Sequence, residues 1–172
     1  MDMFTLQHRD DALQVLGDFP QVGMLLHSFM LVDEELNDVS LEQFHGSPKA
    51  IITLLSLDEQ EYGGLELLQE TRRFLEQWPG LRLFVITVDS PSTLRRARRE
   101  HGLPGVTLLS TLRGRDFHKF YGVLIADYPL AGYTAPSLIL TDSLDKVIYA
   151  ERLRNTEDLF DFARIARTVE GH

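Results

Sequence analysis

The densest group of chemically capable side chains in this sequence is Asp58, Glu59, Glu61 and Tyr62, three carboxylates and a phenol followed directly by Gly63 and Gly64. Carboxylates crowded in this way can raise one another's pKa and divide acid and base roles. Acids at a helix start are also stabilised by the macrodipole with no chemical role at all. The six histidines, His8, His27, His45, His101, His118 and His172, show no i,i+4 pairing and no acid at ligand spacing. A metal site therefore has weak support, and surface or loop histidines are expected. Arg95, Arg96, Arg98 and Arg99 form the one basic cluster. On a helix they spread over more than half the circumference, which reads as a solvated face, with contact to an anion or acidic partner as the alternative. The residue type that is missing decides more than those present. The chain has no cysteine, which removes thiolate nucleophiles, thiolate metal sites and disulfides together. The glycine-rich and histidine-bearing motifs of nucleotide, zincin and serine-hydrolase sites do not occur, and neither cofactor nor metal is expected.

The elements that must position these groups follow from periodicity. The chain has 172 residues, with 44% hydrophobic and 25% charged. That fits one globular domain spanning 1–172, with residues 1–18 as an N-terminal hairpin extension. Lys and Arg number 17 against 26 Asp and Glu, a formal charge of -9, which disfavours nucleic acid as a partner. No apolar run is long enough to cross a bilayer and no export signal is visible, so a cytoplasmic protein without membrane contact is expected.

Met3 to Leu6 and Ala12 to Leu16 predict the hairpin, and Phe29 to Val32 with Asp38 to Leu41 predict a second. Ala50 to Leu55, Leu83 to Val88 and Val106 to Leu109 read as strands, the first of them covered on both faces. Helices are expected from Leu65 to Trp78, from Ser90-Pro91 to about Glu100, and as a turn from Arg115 to Tyr121. Ser137 to Leu140 and Val147 to Ala150 close the sheet as an antiparallel pair, and a last helix is expected to start at Thr156, capped by Asn155. This order describes an α/β fold of thioredoxin-like type, a central mixed sheet flanked by helices.

Several segments carry a resemblance to a known family. Leu36-Asn37-Asp38-Val39-Ser40-Leu41 with Phe44, Ser56-Leu57-Asp58, and Thr71-Arg72-Arg73-Phe74 are three of them. Val106-Thr107-Leu108 and the stretch Tyr121-Gly122-Val123-Leu124-Ile125-Ala126 with Pro129-Leu130 are two more. Together they resemble the thiol peroxidase branch of the peroxiredoxins over residues 12–168. The resemblance implies a peroxiredoxin-type fold, a homodimer, and a Pro-x-x-x-Thr-x-x-Cys motif at a helix N-terminus assisted by an Arg. Aligned on Ser56-Leu57-Asp58, the Pro position holds Leu55, the Thr position Glu59, the Cys position Tyr62 and the Arg position Pro136. The partner cysteine falls near Arg98. Thr134-Ala135-Pro136 is similar to the cis-proline element of thioredoxins, so a cis Ala135–Pro136 bond with a peptide or ligand platform beside Ala135 is expected, against a trans proline that merely starts a strand. His27 stands where the family has a proline near the pocket.

The implied protein is a degenerate, cysteine-less relative that works by binding an unknown protein or small molecule. The alternative is a non-redox enzyme reusing the old pocket, with Asp58, Glu59, Glu61, Tyr62 or His27 as acid or base groups; the candidate ligand pocket is His27, Asp58, Glu61, Thr134 and Ala135. Glu59 and Glu61 also bring like charge to the place where a thiolate would form, which raises a thiol pKa. Tyr62→Cys should therefore show no peroxide-dependent sulfenylation above the wild-type background in a dimedone-labelling assay; rapid labelling would refute this view of the pocket.

Overall fold

The computed structural model describes residues 3–58, 63–114 and 116–172. The chain starts with a hairpin of β1 (Phe4–His8) and β2 (Asp11–Leu16), turned at Arg9, whose φ is 54°. A second hairpin, β3 (Met30–Asp33) and β4 (Asp38–Ser40), leads through a 3-10 turn (Leu41–Phe44) into β5 (Lys49–Thr53). Then α1 (Gly64–Leu75), β6 (Arg82–Thr87), α2 (Pro91–His101) and β7 (Val106–Ser110) alternate. The chain continues with α3 (Phe117–Tyr121), β8 (Leu124–Ile125), β9 (Ser137–Thr141), β10 (Val147–Arg152) and α4 (Phe162–Glu170).

Seven strands form one mixed sheet in the order β10-β9-β5-β6-β7-β3-β4. β5, β6 and β7 run parallel, joined by α1 and α2 as crossovers, whereas β9, β10, β3 and β4 pair antiparallel. The alternation of strand side chains sends Ala50, Ile52, Val85 and Leu138 to the face covered by α1, α2 and α4. Ile51, Phe84, Ile86 and Ile139 go to the opposite face, where they meet the hairpin residues Leu6, Leu13 and Val15 with Phe117 and Tyr121. The amino-terminal hairpin is therefore half of a wall and not an appendage. Its β2 pairs with β8 in a separate three-stranded sheet, a strand too short to stand out by pattern. Helix α2 begins as its sequence predicts, Ser90 capping the Thr93 N–H and Pro91 opening the first turn.

The last helix departs from expectation. It begins at Phe162 with Asp161 as its cap, not at Thr156. Residues 154–156 are held extended against β1 instead. Gln7 N donates to Arg154 O at 2.7 Å, Thr156 N donates to Gln7 O at 2.9 Å, and Thr156 Oγ1 meets His8 Nδ1 at 2.9 Å. Those strand-like bonds use the groups a helix would need.

Lys49, the first residue of β5, is wholly buried. Its Nζ reaches Asp145 Oδ1 at 2.5 Å, Phe44 O at 2.9 Å and Ser47 O at 3.0 Å, which occupies all three donors of an ammonium. Removing the counter-charge of a buried ion is far more damaging than removing an exposed one. Asp145→Asn keeps the residue's tolerance for its φ of 63°, and should lower unfolding stability by roughly 3 kcal/mol, read from the urea midpoint at unchanged slope.

Candidate functional site

The segment after β5 is built around a residue that the motif comparison passed over, Asp89. Its Oδ1 accepts from Ser56 Oγ at 2.6 Å, and its Oδ2 accepts from Leu57 N and from Thr87 Oγ1, both at 2.8 Å. Ser56 Oγ in turn accepts from Asp58 N at 3.0 Å. One carboxylate at the end of β6 thus fixes the path of Ser56-Leu57-Asp58. The signal was present as Thr87-Val88-Asp89 between a strand and a capped helix. Asp58 itself is ion-paired with Arg96 of α2. Beyond it, α1 starts at Gly64, and a Cβ there would overlap the backbone carbonyl of Ser56. The helix start is therefore seated directly on the strand's exit. Glu59, Glu61 and Tyr62 lie outside the described residues.

The segment Thr134-Ala135-Pro136-Ser137 crosses beside the end of β5. Thr53 Oγ1 donates to Ala135 O at 2.7 Å and lies 2.6 Å from Ser137 Oγ. Because the threonine proton goes to the carbonyl, the Ser137 hydroxyl is the donor of that second bond. Ala135 N donates to Val123 O at 2.8 Å, and Pro136 O accepts from Leu153 N at 3.0 Å. Both backbone groups of Ala135 thus have partners inside the fold. The expected cis Ala135–Pro136 bond is corrected. Among the described residues the cis peptide is Tyr128–Pro129, and Pro136 leads in trans into β9. Leu55 and Ala135, each about 1% exposed, pack into the same apolar cluster.

His27 goes elsewhere. Its ring stacks on Phe120 with centroids 3.7 Å apart and planes 7° from parallel, and Nδ1 meets Ser28 O at 2.7 Å. It borders a groove of about 350 Å³ with Glu42, Arg113 and Asp116, whereas Asp58 borders a different concavity of about 80 Å³ with Arg96 and His101. The structure therefore brings Thr134 and Ala135 together but gives Asp58 and His27 separate surroundings.

Two of the histidines expected on surfaces or loops are drawn into the fold, His8 fully and His118 partly. His8 is buried against Thr156, and His118 Nε2 contacts Thr134 Oγ1 at 2.7 Å. Burial lowers the pKa of both, with Arg9 adding to the effect at His8. Tyr121 is also internal, donating to His27 O at 2.5 Å, and burial pushes its phenol far above its usual range. Arg98 is not a solvated charge either. Its Nε donates to the Glu34 carboxylate at 2.7 and 2.8 Å, Nη1 to Leu103 O at 2.9 Å and Nη2 to Val106 O at 2.6 Å. It ties α2 to the β3–β4 turn and to the start of β7. Among the described residues no group of three acidic or histidine side chains is arranged to hold a metal ion, and no helix is long and apolar enough to cross a membrane.

No family model matches the chain. It is, however, 31% identical over 163 residues to the thiol peroxidase of Staphylococcus saprophyticus, covering 93% of this chain and 94% of that one. The chain belongs to the thiol peroxidase family. A solved thiol peroxidase from Chromobacterium violaceum superimposes with a TM-score of 0.95 at 60% identity, covering 98% of this chain and 96% of the other. A peroxiredoxin-like protein from Aquifex aeolicus shares the fold, with a TM-score of 0.85 at 23% identity over 99% of both chains. This thiol peroxidase homologue contains no cysteine anywhere in its 172 residues.

His8 and the half-buried His118 make a pH prediction with a definite sign. Below the ordinary value of 6.5 the unfolded chain takes up protons that the folded rings resist. Their stabilisation is thus present above pH 6.5 and lost as pH falls, with a slope of at most about 1.4 kcal/mol per pH unit for each ring. His118→Asn should flatten the fall in stability between roughly pH 6.5 and 5, above most carboxylate titration. An unchanged slope in urea unfolding would remove His118 from the account.

Proposed function

We propose that this chain has no thiol peroxidase activity and serves as a binding or interaction module on the thiol peroxidase scaffold. In this reading Leu55, Glu59, Tyr62 and Pro136 stand where the family motif needs Pro, Thr, Cys and Arg, and Arg98 stands where a partner cysteine would. The observation that carries the proposal is the count of zero cysteines. Thiol-based peroxide reduction needs a thiolate to attack one peroxide oxygen, and the thioethers of the four methionines ionise to no thiolate. The polar groups around the end of β5 support it. Thr53, Ser56, Ser137 and Asp89 bond to one another and to the backbone, which is the pattern of a site serving the fold.

The competing assignment, a non-redox enzyme in the old pocket, has less behind it. Asp58 is neutralised by Arg96, and His27 stacks beside another groove. The proposal extends to a homodimer of single-domain chains in the cytoplasm, with a protein or small molecule as partner and no nucleic acid or membrane.

The purified chain, supplied with hydrogen peroxide and a dithiol reductant, should consume peroxide no faster than buffer. Light scattering should return the mass of two chains, and thermal unfolding should be one cooperative transition. Protein-dependent peroxide turnover that survives removal of trace metal and contaminating enzymes would overturn the proposal.

A further inference from the structure

On the far side of β10 from β9, the amino-terminal hairpin and the segment leading to α4 enclose a cleft of about 460 Å³. Phe4, Phe19, Arg152, Arg154, Leu159 and Arg164 line it. The three arginines play different parts. Arg152 is structural, because its guanidinium carbon lies 4.2 Å from the Phe4 ring centre and 4.6 Å from that of Phe19 while Nη1 donates to Gly122 O at 3.0 Å. It forms a flat wall of stacked cation and aromatic rings.

Arg154 and Arg164 are different. Both are exposed, one 5.3 Å over Phe4 and the other 5.0 Å over Tyr149, and neither is paired with a carboxylate of the described residues. Such pairing would be easy in a chain with nine more acids than bases. Of the acids on the lining, Glu151 accepts from the Tyr149 hydroxyl and from Asp161 N at 3.0 Å. With Asp158 it makes two carboxylates on a lining that carries three guanidinium groups, those of Arg152, Arg154 and Arg164, which leaves the cleft cationic by one charge. The large negative charge of the whole molecule argues against a polyanion. The flanking Phe4 and Leu159, the latter 49% exposed, favour an apolar body attached to the charge.

We propose that this cleft binds a small organic oxyanion, with Arg154 and Arg164 holding a carboxylate or phosphate and Phe4 and Leu159 contacting its apolar part. The cleft lies along the edge strand β10, two strands across the sheet from β5, and the proposal is independent of whether the family's peroxide chemistry has been lost.

Phenyl phosphate, benzoate and inorganic phosphate, each titrated into the full-length protein at low salt and followed by NMR, test this directly. Phenyl phosphate should saturate with a dissociation constant of about 1 mM or tighter, and more tightly than inorganic phosphate. The relative affinity of phenyl phosphate and benzoate tells which oxyanion the forks prefer. The double variant Arg154→Gln with Arg164→Gln should weaken phenyl phosphate about tenfold or more, with its melting temperature unchanged because both side chains are exposed, whereas Arg99→Gln on the remote helix α2 should change nothing. Leu159→Ser, which leaves both charges in place, should weaken phenyl phosphate but not inorganic phosphate. Absence of saturation by about 10 mM, or equal weakening by Arg99→Gln, would overturn the site. Equal affinity for phenyl and inorganic phosphate would overturn the apolar half of the proposal.

Discussion

The ammonium of Lys49 is the constraint around which this fold is arranged. A charge with no access to water must find its full set of partners within the protein, and here they come from three places in the chain. Two carbonyls of the 3-10 turn region and the carboxylate of the β9–β10 turn converge on it. Asp145 also accepts from Leu26 N through its own carbonyl at 2.9 Å, so the loop before β3 is drawn to the same point. The sheet is thereby pinned at one end of β5. Its register against β6 and β9 then carries that order to the other end, where Thr53 meets Ala135 and Ser137.

What happens at that other end explains how a family scaffold persists without its reactive residue. Here Asp89 takes three donors, Thr53 donates to one partner and accepts from another, and the backbone of Ala135 is used in both directions. Arg98 contributes in the same manner on α2, since four bonds to Glu34, Leu103 and Val106 make it a brace between elements. At this end of the sheet the polar groups serve the fold, each hydrogen-bonded to a partner within the chain.

Much of this was legible from pattern alone, and the remainder was hidden for one physical reason. Continuous apolar runs exposed β5, β6 and β9, and Ser90-Pro91 marked the start of α2, because those signals are local. The family was legible through dense short matches, and the loss of thiol chemistry through a simple count. Nothing local to Lys49 marks it as buried, because its counter-ion is 96 residues away. His8 and His118 looked like surface residues because their hydroxyl partners lie 148 and 16 residues away. The start of α4 was misplaced because β1, not the local cap signal, decides the conformation of residues 154–156. Pro136 was misassigned by analogy, where the bonds of Ala135 and Pro136 to Thr53, Val123 and Leu153 are what govern the segment.

The contact between Gly64 and the Ser56 carbonyl limits which substitutions the fold can accept. Any side chain at position 64 would have to force α1 off the end of β5, so the intermediates on a mutational path that placed a functional group there would be penalised before they conferred any advantage. Such a contact works as a latch: it sets how closely α1 may approach the exit of β5, a spacing that only a residue without a side chain permits.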